Sequence, residues 1–530
     1  MKVVKFTFFF FLFYLTIGCK NPKKEILQEK ADTLPLNIIY IMADDHALRA
    51  ISAYDTTLIK TPNIDRLAKE GVIFSNSFVT NSVSSPSRAV CLTGKFSHEN
   101  GLRDNIDVFD STQQTFPKLF QAAGYQTAVI GKWHLKSQPT GFDYWQVLPD
   151  QGVYYQPDFL TAEGRITEQG YVTDIITDRA IDWISNGRDK SKPFVLLCHH
   201  KAPHREWMPA SRHFEDIGKI HYPEPATLFD DYQNRGTAAK VAEMRLREHM
   251  GLTNDNKIPP AIVEKLGFKE FLGWYVPNYE YNIKDFTPEE REGWNRTYQP
   301  IINDFVTNTP KGDDLVRWKY QRYMQDYLAC IKAIDENVGR LYKYLEENNL
   351  LDNTLIVYTS DQGFYLGEHG WFDKRFMYEE SFRTPLVMRY PKMIKPGTTI
   401  DAMVQNVDYA ETFLDLAGIA IPSDMQGKSL VPLFQGDTSS WRKAMYYHYY
   451  EYPGVHSVKR HYGVRTDRYK LIHFYYDIDE WELYDLLKDP QEMKNVIHDP
   501  EYAVIKKMMM GKLKELQEKY GDTEAASLNK

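Results

Sequence analysis

Cysteine is scarce in this chain, with four in 530 residues. Cys19 closes an N-terminal leader-like segment, which leaves Cys91, Cys198 and Cys330. Three scattered thiols exclude a disulfide framework and a cysteine-based zinc site, and they read as small buried hydrophobes. Positive charge is not in excess either. The formal net charge is -8, which excludes the broad basic face that nucleic-acid binding needs. Any anionic ligand must therefore be met by a local cationic pocket. The N-terminal apolar run at residues 6–17 is too short to cross a bilayer. No repeat or low-complexity tract stands out.

Apolar residues make up 43% and charged residues 26%, which places the chain among ordinary globular proteins. Its length suits a large core with a second, smaller unit. Lys2 and Lys5 precede the apolar run, which ends at Gly18-Cys19. That order resembles a bacterial lipoprotein cleavage site. The expectation is a signal over residues 1–19, a polar tether over 20–34 and a lipid on Cys19, the alternative being an ordinary cleaved signal with an incidental cysteine. The protein is then extracytoplasmic, periplasmic or anchored to the outer membrane, and touches a membrane through its lipid alone.

Short β-rich runs at residues 37–42, 127–130, 194–197 and 355–358 alternate with helical patterns at 115–123, 174–185 and 318–348. Such alternation predicts an α/β fold with a mainly parallel sheet covered on both faces. Residues 205–317 are poorly periodic and read as loops and short helices at the sheet's rim. After residue 421 the texture changes: strands are expected at 445–452, 462–465 and 470–476, then a closing helix at 504–520. The expected division is a catalytic domain over 35–420 and a C-terminal subdomain with a smaller antiparallel sheet over 421–530.

Carboxylates stand at two of the predicted strand ends. Asp44 and Asp45 follow the first, and Asp361 and Gln362 follow the 355–358 run. Ligands in open α/β sheets gather beyond the carboxyl ends of strands. Either pair alone could be a turn or a helix cap. Together they offer an all-oxygen shell of the kind hard cations choose, and calcium tolerates its irregularity better than magnesium. Ser84-Ser85-Pro86-Ser87-Arg88 reads as a helix start, with Ser84 at the helix mouth where amides favour an anion.

That segment resembles the signature of type I sulfatases, whose first residue, Cys or Ser, is oxidised to formylglycine; the proline and arginine spacing fits when Ser84 is that residue. Gly131-Lys132-Trp133-His134-Leu135 is similar to the family's second signature. Further matches are His199-His200-Lys201-Ala202-Pro203-His204 and Lys374, and among the three histidines the Pro-His pairing favours His204. The resemblance covers about residues 36–487 and implies a sulfatase/alkaline-phosphatase-like fold. It also implies a calcium ion on Asp44, Asp45, Ser84, Asp361 and Gln362, and a maturation enzyme that generates formylglycine from Ser84. Many relatives carry Asn or His where Gln362 stands. The implied reaction is hydrolysis of a sulfate ester. A formylglycine hydrate attacks sulfur, Arg88 and the cation favour its ionised form, and His204 protonates the leaving oxygen. Lys132 and Lys374 balance charge, and His134 assists collapse to the aldehyde.

Residues 361–370 and 373–380 are similar to bacterial sulfatases that remove 6-O-sulfate from N-acetylglucosamine, so the expected partner is a sulfated mono- or oligosaccharide. Candidates for holding the sugar are Glu368, His369, Arg375, His448, Glu451 and His456, each of which serves equally as fold-supporting packing. Two rivals stand beside this reading. One is a phosphomonoester or phosphodiester hydrolase of the same superfamily, against which the formylglycine signature argues. The other is a non-catalytic glycan-binding lipoprotein, which has no use for both a nucleophile frame and an acid.

Overall fold

The structure is a computed structural model and describes residues 1, 35–271 and 279–529. The expected tether, Cys19 and all of the expected signal but Met1 lie outside the described residues.

Four strands form the centre: β1 (Asn37–Ala43), β2 (Gln126–Lys132), β3 (Phe194–His199) and β4 (Thr354–Ser360). They are continuous apolar runs because both faces are covered. Their order in a ten-stranded sheet is β4-β1-β3-β2, and all three pairings are parallel. Parallel neighbours need crossovers, so all four carboxyl ends open at one edge. Strands Val72–Phe74, Leu386–Arg389 and Thr398–Ile400 extend the sheet beyond β4. Tyr144–Leu148, Asp158–Thr161 and Gly164–Thr167 extend it beyond β2.

The expected helices are present at Phe116–Ala122, Val172–Asp182 and Gly312–Glu347. The last is 36 residues long and packs on the sheet through Tyr323, Tyr327, Ile331 and Ile334. The 205–317 region differs from expectation in holding the start of the long helix, from Gly312, and a 21-residue helix at Pro288–Asn308. Thr287 and Glu290 form a reciprocal capping box at its start, and Trp294, Tyr298, Ile302 and Phe305 make its buried stripe. Tyr and Pro masked that periodicity in the sequence.

A separate antiparallel sheet follows: β5 (Met445–Tyr449), β6 (His461–Arg465), β7 (Tyr469–Phe474) and β8 (Glu480–Asp485). They pair in chain order. The fourth strand was not anticipated, since Glu480-Trp481-Glu482 has little apolar content. The closing helix Ala503–Tyr520 packs against this sheet through Met509, Leu513 and Leu516. Both sheets belong to one compact unit, residues 35–530.

Candidate active site

Strand pairing brings the acidic residues together. Ala43 of β1 is in register with Ser360 of β4, so Asp44-Asp45 and Asp361-Gln362 leave the sheet side by side. The Asp45 amide donates to Asp361 Oδ1 at 3.1 Å. All four side chains are fully buried. Three carboxylates packed this way repel one another unless cations intervene.

Helix Ser84–Thr93, the first long helix to face these strand ends, is buried along its whole length. Ser84 occupies its first turn, and its hydroxyl donates to Asp44 Oδ1 at 3.2 Å. One turn later Arg88 lies on the same helix face. Its guanidinium donates to Asp361 Oδ2 at 3.0 Å, stands 3.8 Å from Asp44 Oδ1, and donates to the Lys132 carbonyl at 2.9 Å. Ser87 ties the helix to the backbone of Asp361 through a hydrogen bond to its carbonyl.

From β2 comes Lys132, whose ammonium is bonded to Asp44 and donates to Gln151 Oε1 at 2.5 Å. The preceding Gly131 has φ +102°, and an added Cβ would sit 1.9 Å from the His199 carbonyl. Only glycine lets β2 and β3 approach this closely. Gln151 turns its amide to His134 Nε2 at 3.0 Å. Lys374 donates to Asp45 Oδ2 at 2.8 Å. Of the three candidate histidines, His199 and His200 stay in the interior near Lys132 and Cys198. His204 reaches a cavity of about 220 Å³, its Nε2 3.8 Å from Asp45 Oδ2.

Burial favours neutral carboxyls, and it pushes Asp45 up to about 6 and Asp361 up to about 7, against the pull of Lys374 and Arg88 respectively. At Asp44 burial acts the same way, but Lys132, His204 and Arg88 outweigh it and hold the carboxyl well below the usual range. Burial, aided by Lys132, holds both His134 and His204 well below the ordinary imidazole value.

Asp44, Asp45 and His204 offer ligand atoms within 4.8 Å of one another and could hold a metal ion. The donor set is predominantly oxygen, which suits a hard cation. Gln362 Oε1 is buried without a hydrogen-bond partner, an orphan acceptor of the kind a cation satisfies. The residues present therefore fit a divalent ion.

The sugar-binding candidates divide. Arg375 lines the cavity, donates to Glu451 Oε1 at 2.6 Å and donates to Asp373 Oδ1 at 3.0 Å. His456 Nε2 lies 3.3 Å from Asp373 Oδ2, and Glu451 also accepts from the amide of Asn105, another lining residue. These residues make one network on the wall. The structure places Glu368, His369 and His448 elsewhere. Glu368 pairs with Arg49 at 2.6 Å and faces a different cavity, of about 430 Å³. His369 is wedged against Trp371 and Arg235. His448 holds Asp522 at 2.6 Å and Tyr475 at 2.7 Å beneath the C-terminal helix. Their neighbours in sequence gave no sign of this, because a strand or a tight turn sends successive side chains to opposite sides.

Ser85, Asn105, Gln151 and Asp373 join the site without having been picked from the sequence. Asn105 and Gln151 come from loops with no spacing pattern of their own, Ser85 is the second residue of the Ser84–Thr93 helix, and Asp373 ends the two-residue strand Phe372–Asp373. Backbone strain marks the place: Asp45, His134, Asp373, Arg375 and His456 all have positive φ, between 57° and 92°. Each such residue costs roughly 1–3 kcal/mol and persists where surrounding structure over-determines it, commonly at active sites.

The sulfatase family model matches residues 36–419, and the N-sulphoglucosamine sulphohydrolase C-terminal model matches residues 367–519. The chain belongs to the sulfatase family. An N-acetylglucosamine-6-O-sulfatase from Bacteroides thetaiotaomicron is 53% identical, covering 96% of this chain and 89% of the relative. A solved structure described as a complex with its substrate D-glucosamine-2-N,6-O-disulfate is also 53% identical. It superposes with a TM-score of 0.88 over 92% of this chain and 99% of its own. A phosphonate monoester hydrolase of Agrobacterium radiobacter shares the fold at a TM-score of 0.67 and 20% identity, covering 92% of this chain and 96% of that one. This sulfatase is thus a sulfuric ester hydrolase with the expected α/β architecture.

Proposed function

We propose that this sulfatase removes 6-O-sulfate from glucosamine units of a sulfated glycan, using calcium and a formylglycine made from Ser84. The observation that carries this reading is one of convergence. Two adjacent strand ends and a buried helix mouth meet in one buried cluster, and His204 and Lys374, which both lie against Asp45, connect that cluster to a cavity of about 220 Å³, a size for one sugar unit rather than a polymer. The relative that is 53% identical bears the name of that activity.

Calcium held by Asp44, Asp45, Asp361 and Gln362, with His204 beside the ion rather than on it, would supply Lewis-acid charge, and formylglycine at position 84 would supply a nucleophile that a serine hydroxyl does not. The chain's own residues do the rest. Arg88 fixes Asp361 and the base of the helix, so position 84 stays aimed at the carboxylates. Lys132 and Lys374 place two ammonium groups beside the incoming sulfate, where charge builds as the ester bond breaks. His204 Nδ1 faces the Arg205 carbonyl at 2.5 Å, so Nδ1 carries a proton and any proton passed to the leaving sugar oxygen departs from Nε2. His134 faces Gln151 through Nε2 and Ser85 through Nδ1, at 3.0 and 3.3 Å, and through that contact with the residue after position 84 it is the candidate base. Arg375 meets sugar hydroxyls at the wall, backed by Glu451 on its guanidinium and by His456 on Asp373.

The same reading places the enzyme outside the cytoplasm as a lipoprotein anchored through Cys19, matured by an enzyme that oxidises Ser84. The test is sulfate release from a panel of glucosamine and galactosamine sugars sulfated at single positions. Release confined to the 6-sulfated glucosamines supports the assignment, and a preference for another position overturns it.

A further inference from the structure

Lys201 leaves β3 three residues before His204, is 3% exposed, and lines the same cavity as His204, Lys374 and Arg375. The cations around it have carboxylate partners within the chain. Lys132 is on Asp44, Lys374 on Asp45, Arg375 on Asp373 and Glu451, and Arg205 grips both oxygens of Asp255 at 2.6 and 2.7 Å. Among the described residues, no hydrogen bond or ion pair reaches the Lys201 ammonium. Its neighbour is the ring of Tyr154, 4.7 Å away. A ring face attracts a cation without neutralising it. Burial, with Lys132 nearby, pushes the Lys201 ammonium down to about 8, which leaves it charged at neutral pH. Asp44 and Glu206 oppose that shift at a distance, but neither contacts the ammonium; a buried charge without a contacting counterion is expensive, and at the wall of a ligand cavity the counterion can come with the ligand.

The geometry points to Lys201 as the anchor for a second anionic group of the substrate, distinct from the sulfate ester that is cleaved. This rests on the sulfated-glucosamine reading above. The shared chemistry is an oxyanion, and two sources can present one. One is an N-sulfonate on the same sugar. The other is the carboxylate of an adjoining acidic sugar, for which there is room. A larger cavity of about 750 Å³ opens next to the first, and Gln151, Gly152, Val153 and Tyr154 line both.

The test compares wild type, Lys201→Met and Lys201→Arg on three substrates: N-acetylglucosamine 6-sulfate, N-sulfoglucosamine 6-sulfate, and a disaccharide joining N-acetylglucosamine 6-sulfate to a hexuronic acid. Released sulfate gives kcat/KM for each. Lys201→Met should lower the ratio of one doubly anionic substrate to the N-acetyl monosaccharide by about ten- to a hundredfold, the size of a lost charge-assisted hydrogen bond. The substrate that falls identifies the source of the anion. Lys201→Arg should restore most of the ratio. An unchanged ratio for both overturns the proposal, whether activity is kept or lost equally on all three. Thermal unfolding accompanies each variant, and Lys201→Gln supplies the same ratio if Lys201→Met does not fold. Wild-type enzyme that releases no sulfate from any of the three overturns the substrate reading instead.

Discussion

Removing divalent ions should cost this enzyme a few degrees of thermal stability, by an amount that can be worked out beforehand. Without a cation, three internal charges stand in: Lys132 on Asp44, Lys374 on Asp45, and Arg88 on Asp361. The carboxylates are therefore compensated and the site does not fly apart. A calcium ion bound here would compete with these partners, so its contribution would be the linkage term alone. At a hundred times Kd that term is about 2.7 kcal/mol. Unfolding entropy of about 2.1 cal/mol/K per residue over roughly 500 residues gives about 1 kcal/mol/K. The expected rise in Tm is thus about 3 °C, and about 4 °C at a thousand times Kd. Differential scanning calorimetry of chelator-treated protein, with calcium titrated back, measures it. Asp45→Asn removes one anionic ligand and leaves Lys374 in place, so its calcium-dependent increment should shrink to below about 1 °C, whatever its starting Tm. Magnesium should substitute poorly, because the donors come from an irregular set of strand ends. An equal calcium increment in wild type and Asp45→Asn, or none in wild type, would refute the cation site.

Other outcomes follow from the same geometry. Ser84→Ala should abolish sulfate release while leaving Tm within about 1 °C, since the hydroxyl makes only long hydrogen bonds, to Asp44 at 3.2 Å and from Gln362 at 3.5 Å; mass spectrometry of the wild-type peptide should show the loss of a pair of hydrogens at Ser84. Gln151→Ala should lower kcat by about 10- to 100-fold, because it frees both Lys132 and His134; an unchanged kcat in steady-state assays would dismiss a positioning role. Asp522→Ala strips acceptors from Tyr446, His448 and the Ala525 amide, at about 3 kcal/mol and so about 3 °C of Tm. Burial pushes the Asp522 carboxyl up, but His448 outweighs it and holds the group below the ordinary carboxylate range. Its stabilisation is therefore complete above that range and is lost as pH falls below it. The gap between wild type and Asp522→Ala in urea unfolding should close at acid pH.

How much was legible beforehand depended on the kind of signal. The four central strands and the long helix at Gly312–Glu347 are local patterns of apolar spacing, and they appeared where periodicity put them. The pairs at 44–45 and 361–362 could be placed at strand ends from sequence, and the motif around Ser84 and Arg88 named the chemistry. The Pro288–Asn308 helix hid its stripe among aromatic residues, although its capping residues Thr287 and Glu290 were in plain view.

By itself, the order of residues settled which strands are buried on both faces, where the carboxylates fall along the chain, and which serine heads the helix. Folding alone decided that Gln151, Asp373 and Asn105 enter the site while Glu368, His369 and His448 face other neighbours. The physical reason is that hydrophobic period and capping act over a few residues. Which loop tips meet at a sheet edge, and which ammonium is left without a counterion there, depends on contacts between segments hundreds of residues apart.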